Sequence, residues 1–292
     1  MLHLSLPGPG RHIRLPGLLG LVAFAMVAVY GSVGSAAAQG KLDARYTATL
    51  SGVPIGTGTW TVDIGDDQYI AEARGATAGL LRIFTNGHGS GASRGLVRGE
   101  ALIPTSYVSV INNDKRVEEL RIVMSAGAVK DLVMEPPSLP NPDRVPLTDA
   151  HRKGIVDPMS ASLLRVAGNG DPVSPDACRR TIPVFDGRMR FDLAMSFKRM
   201  EKVAADKGYR GPVAVCAVQF VPVAGHVPER AAIRYLVAQR DMEVWLAPIA
   251  GTRVVVPYRV SVPTPIGTGV LEATQFVSAA IPPRLPPATA AR

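Results

Sequence analysis

The chain has 292 residues, of which 47 % are hydrophobic, enough apolar side chain for a sizeable core and too much for a wholly disordered chain. Its formal net charge is +8, from 32 Lys and Arg against 24 Asp and Glu, but the basic residues are scattered and form no stripe interleaved with aromatics. That pattern excludes nucleic acid as the natural partner and describes a solvated basic surface.

Arg11 and Arg14 precede an uncharged apolar run, Leu18–Tyr30, and Ala36 and Ala38 then stand in the A-x-A relation. This order predicts a secretory signal peptide over residues 1–38, cleaved after Ala38. The run is short for a bilayer span, which takes roughly 20 residues. No later segment is apolar for long enough, so no transmembrane span is expected after cleavage. The expected address is the periplasm. Two cysteines follow the signal, Cys178 and Cys216. An even pair in an oxidising compartment predicts one disulfide.

From Asp43 the text alternates. Tyr46, Ala48 and Leu50 share one face, and Trp60, Val62 and Ile64 share another. With turn signals at "GDD", "NND" and "SAG", the spacing predicts a meander of half-buried antiparallel strands. Pro136–Pro146 is too rich in proline for regular structure. Asp157 and Pro158 are good cap and first-turn residues, and Met159, Leu163 and Val166 or Ala167 recur at helical spacing, so a helix is expected from Asp157 to a stop at Gly168. Asp186-Gly187 between strand-like runs predicts a hairpin turn. A strand follows over Gly211–His226, a second helical pattern over Pro228–Asp241, and strands again from Met242. The Pro- and Ala-rich end, residues 281–292, reads as a disordered tail.

One five-residue word occurs twice, as Pro54-Ile55-Gly56-Thr57-Gly58 and as Pro265-Ile266-Gly267-Thr268-Gly269. No capped helix and no Walker lysine follows either copy, so a phosphate cradle is not supported. The expected role is structural: Gly56, Gly58, Gly267 and Gly269 as strand corners or turns. If the sheet wraps, the two copies lie near each other.

Candidate chemistry is sparse. Gly91-Ala92-Ser93-Arg94-Gly95 matches G-x-S-x-G, a nucleophile elbow in hydrolases, but no helical period follows it. A turn between strands is the plainer expectation. His88, His151 and His226 show no metal spacing, so neither metal nor cofactor is expected. Arg188 and Arg190 alternate with Asp186 and Asp192. They offer an anion contact or, more simply, salt bridges at the hairpin, which Arg253 and Arg259 would extend.

The "Y…L.G..IG.G" opening, Asp157-Pro158 with its following Ser and Ala, the "FDGR.RFD" hairpin, the Cys216 strand ending at Gly225-His226, and "VWLAP…VPYRVSVPTPIGTG" together resemble domain-of-unknown-function family 3108. The resemblance runs from about Lys41 to Ala279 and implies an exported β-rich protein with no catalytic residues to carry over. A broader fold analogy is to periplasmic lipoprotein carriers.

The expected fold is mainly β: one domain over 39–280, a strongly curved antiparallel sheet (wrapped sheet or half-barrel) with one or two helices packed on its concave side. The expected function is a non-catalytic envelope protein that binds a hydrophobic or peptide-like ligand, or scaffolds partners, with a lipid or an envelope protein as partner. The alternative is a periplasmic hydrolase using Ser93 or a His/Asp pair. An outer-membrane barrel is disfavoured, because aromatics at 5 % are too few for interfacial girdles.

Overall fold

The computed structural model describes residues 39–79, 87–99, 101–113 and 116–282. By contact the chain divides into Met1–Ser35 and Ala36–Arg292, and only the second unit holds described residues. The expected signal peptide at 1–38 and residues 283–292 of the expected tail at 281–292 lie outside them, while Ile281 ends a strand.

Seven strands run up and down in chain order: β1 (Gln39–Leu50), β2 (Val53–Ile64), β3 (Gln68–Thr77), β4 (His88–Arg98), β5 (Ala101–Asn113), β6 (Arg116–Ser125) and β7 (Ala128–Glu135). Each pairs antiparallel with the next. The alternation in the sequence is the cause. In β1, Leu42, Ala44 and Tyr46 are buried while Lys41, Asp43 and Arg45 are exposed. A slip of one residue would turn Leu42 and Tyr46 to water, at about 2 kcal/mol for each large side chain.

The second half adds β8 (Leu164–Arg165), β9 (Arg180–Phe185), β10 (Arg190–Ala204), β11 (Lys207–Gly208), β12 (Arg210–Ala224), β13 (Met242–Pro248), β14 (Val254–Thr264) and β15 (Gly267–Ile281), with one helix, α1 (Ala231–Ala238). All strands join one sheet, in the order β7-β6-β5-β4-β3-β2-β1-β15-β14-β13-β12-β10-β9, with β8 beside β14 and β11 beside β15. The first strand and the last are neighbours from Gln39↔Ile281 to Leu50↔Gly269, which fuses the two halves through backbone hydrogen bonds. No ladder joins the outer strands β7 and β9 among the described residues. One segment touches both, through the isolated bridges Ala128↔Lys153 and Val156↔Val184. There Ile122, Met124, Ile155 and Phe185 form a small buried cluster.

Asp186 and Gly187 sit at the β9–β10 turn. The Asp186 carboxylate accepts from the backbone N–H of Arg188 at 2.8 Å and Met189 at 2.7 Å, and Gly187 has φ 88°. Cys178 and Cys216 are bonded, with sulfurs 1.99 Å apart, tying a 3-10 turn at Pro175–Cys178 to β12.

Two expectations are corrected. The helix expected from Asp157 is a turn followed by a 3-10 helix of three residues, Ser160–Ser162. Asp157 does cap it, but Leu164 and Arg165 then pair with Val255 and Val254. The Arg253 guanidinium also grips the carbonyls of Val166, Ala167 and Gly170 at 2.7–2.9 Å, so Arg253 holds backbone rather than joining a salt-bridge network. These long-range bonds take the carbonyls and strand positions that a longer helix would need. Among the described residues α1 is the one α-helix, and its Ile233 packs with Phe220 and Met242.

The second correction concerns the repeated word. Gly56 and Gly58 lie inside β2, and Gly269 inside β15, so these three are strand residues rather than turns. Ile55 is the extra residue of a bulge, since Ala48 pairs with Gly56 and Thr49 with Pro54. Gly267 closes the β14–β15 turn with φ 120°, and a Cβ there would lie 1.7 Å from Ser51 Oγ. Both copies flank β1, and the Ser51 N–H donates to the Thr268 carbonyl at 2.9 Å.

Candidate functional site

Register places small residues side by side across the first half. Tyr46 of β1 stands opposite Gly58, Gly58 opposite Gly75, Gly75 opposite Gly89, and Gly89 opposite Ile111. The next row reads Ala44, Trp60, Ala73, Gly91 and Ser109. Apart from Ala44, the residues of these rows line a cavity of about 800 Å³, within the usual range for small-molecule sites. Tyr46, Trp60, Tyr107, Met159 and Val260 contribute walls.

At Gly75 neither backbone shape nor packing requires glycine, and at Gly58 backbone shape does not, though the fit there is closer. Gly58 and Gly75 have no positive φ. A Cβ on Gly58 would meet only the Arg74 carbonyl oxygen, at 3.2 Å, and one on Gly75 only the Thr57 carbonyl oxygen, at 3.5 Å. Glycine weakens a strand, and here that cost coincides with open space. At Gly91 a Cβ would press on the Met159 methyl at 3.2 Å, the end of a flexible side chain.

A buried polar knot holds the wall at Pro158, Met159 and Ser162 in place. Asp157 Oδ1 accepts from the N–H of Met159 at 3.0 Å and of Ser160 at 2.9 Å. Its Oδ2 accepts from the hydroxyls of Ser93 at 3.0 Å and Ser160 at 2.6 Å. Tyr69 OH lies 2.7 Å from Ser160 Oγ. Burial raises the Asp157 pKa, against the opposing pull of these hydrogen bonds. Burial also pushes the Tyr69 hydroxyl up to about 12. The knot is a fully satisfied buried carboxylate, and such a network fixes one conformation of the chain around it.

Ser93 is thus in the interior of β4 and 0 % exposed, not on a turn or elbow. Its hydroxyl lies 2.8 Å from Ser160 Oγ besides its bond to Asp157, so its partners are a carboxylate and a serine. His88 opens the same strand, and His226 follows β12. Among the described residues no group of three or more His, Cys, Asp or Glu could hold a metal ion. Arg188 and Arg190 do not converge on a common anion site. Arg188 pairs with Glu118 at 2.9 Å and donates to Met134 Sδ at 3.2 Å, while Arg190 pairs with Asp192 at 2.7 Å.

The family model described as "Protein of unknown function (DUF3108)" matches residues 45–274. The chain belongs to this family. The match takes in the cavity lining from Tyr46 to Leu271. No curated protein matches the chain. Among solved structures, a beta-barrel-like protein of domain of unknown function DUF1849 from Brucella abortus is similar, with 9 % identity, a TM-score of 0.44, and coverage of 83 % of this chain and 98 % of that one.

Nothing in the linear sequence marks the cavity floor or the Asp157 knot as a site. The same holds for Trp245, whose ring lies between the guanidinium groups of Arg199 at 5.6 Å and Arg259 at 4.7 Å. The Trp245 N–H donates to Glu201 at 2.7 Å, and Glu243 takes Arg199 at 3.0 Å together with Lys198. Arg199 and the Trp245 N–H hold the Glu243 and Glu201 carboxyls below the ordinary range. Arg199 sits one residue after Lys198 and pairs across to β13, a contact that only register creates.

Proposed function

We propose that this chain is an exported, non-catalytic protein of the periplasm that holds an apolar ligand in the glycine-floored cavity, inside a strongly curved sheet. The carrying observation is the Gly58–Gly75–Gly89 row, where three adjacent strands give up side chains at the point where about 800 Å³ stands open. Backbone polar groups on that floor are spent in the ladder, so the surface offered to a ligand is apolar. Curvature is supported by the one segment, Lys153–Val156, that touches both outer strands. Export is supported by the N-terminal order of arginines, apolar run and small residues, and by the cysteine pair. A nucleophilic role for Ser93 has little support, because its hydroxyl is buried and engaged on both sides.

The test is native mass spectrometry of protein purified from the periplasmic fraction without detergent. The expected result is a chain beginning at Gln39 that carries a mass excess removable by organic solvent. A bare polypeptide mass that stays bare after incubation with a long-chain fatty acid would remove the ligand reading.

A further inference from the structure

A second cavity, of about 270 Å³, lies beside α1 in the other half of the molecule. Leu193 and Met195 of β10, Phe220 of β12, Leu236 of α1 and Met242 of β13 are among its apolar walls. Its one carboxylate, Glu243, is already held by Arg199 and Lys198. Ser162, Pro257 and Val260 line both this cavity and the larger one. None of these three is fully buried. On one side of it stands space of the size a drug-like ligand fills. On the other stands an apolar space larger than the roughly 150 Å³ that holds a benzene ring.

From two unequal apolar cavities sharing one thin wall, we infer that the ligand has two apolar arms, a two-chain lipid whose longer reach lies over the glycine floor and whose second arm lies beside α1. This rests on the reading of the larger cavity as a ligand site. A single-chain lipid would leave the second cavity empty. The partition at Val260 is where the arms diverge, and Leu236 bounds only the smaller space.

The experiment compares dioctanoyl phosphatidylglycerol with its one-chain lyso counterpart, by calorimetric titration of the full mature protein. Wild type is expected to bind the two-chain lipid at least about tenfold more tightly. Leu236→Trp, which fills the smaller cavity from the helix, is expected to abolish that preference while leaving one-chain binding within about twofold. Met195→Phe fills it from β10 and must act the same way, so a folding failure of one variant leaves the other to decide. Equal affinities in wild type, or a preference that survives in a folded variant, would overturn the two-arm inference. Binding of neither lipid by wild type would overturn the ligand reading beneath it.

Discussion

The two halves of the sheet use similar strands and treat the space they enclose differently. At the centre of β2, β3 and β4 glycines stand side by side, Gly58 against Gly75 and Gly75 against Gly89, and the volume over them stays open. Across β9 to β14 the equivalent space is filled: Ile182, Val184, Ala214, Cys216, Leu246 and Val255 pack in one cluster around the disulfide. The chain's two tryptophans mark the contrast. Trp60 lines the large cavity, and its indole N–H has no acceptor among the described residues. Trp245 is clamped between two arginines and bonded to Glu201. The two halves are joined by the β1–β15 ladder and by one core cluster that takes in Val62 and Tyr69 from the first half and Val215 and Val256 from the second.

The largest expected effect falls on the packed half. The disulfide closes a separation of 38 residues. Its removal by Cys178→Ala with Cys216→Ala is expected to cost about 4 kcal/mol in the chain-entropy account. Urea unfolding should show the midpoint fall, with ligand affinity of the still-folded protein unchanged. An unchanged midpoint would break the division of labour drawn here.

Next comes Asp157→Asn, expected to cost about 2 kcal/mol near neutral pH by loosening four hydrogen bonds. The sign of its pH dependence distinguishes the halves. Burial raises the Asp157 pKa, so the fold favours the protonated acid and gains stability as pH falls through the raised value towards 3.8. Wild type should therefore pull further ahead of Asp157→Asn as pH is lowered. Glu243 runs the other way. Arg199 holds it low, so its contribution is present above 4.5 and is lost as pH falls through the lowered value. The deficit of Glu243→Gln should shrink in acid. Matching slopes for the two variants in urea titrations would contradict the assignment.

The smallest effect on stability is expected at Gly75→Val, under about 1 kcal/mol, because β-branched side chains suit strands and the new Cβ meets only the Thr57 carbonyl at 3.5 Å. The same change should weaken fatty-acid binding about tenfold, since it fills the floor. A stable variant with full affinity would show that the row is not the ligand surface.

Part of this was legible in the sequence because it is local. Alternation at Trp60, Val62 and Ile64, the Asp186-Gly187 turn and the cysteine pair each act through near neighbours or simple counting. The cap at Asp157 was legible as well, but the helix after it was not, because Arg253 and β14 claim that segment from about 90 residues away. The glycine row was invisible for the same reason. Gly58, Gly75 and Gly89 are ordinary strand glycines in one dimension, and only pairing register sets them in line.

The most direct measurement uses the two tryptophans as reporters. A brominated long-chain fatty acid quenches an indole it touches. In Trp245→Phe, where Trp60 alone emits, saturable quenching is predicted as the lipid fills the large cavity. In Trp60→Phe, where Trp245 alone emits from between its arginines, little or none is predicted. Quenching of neither tryptophan, or of both alike, would contradict the claim that the glycine-floored half is where the ligand sits.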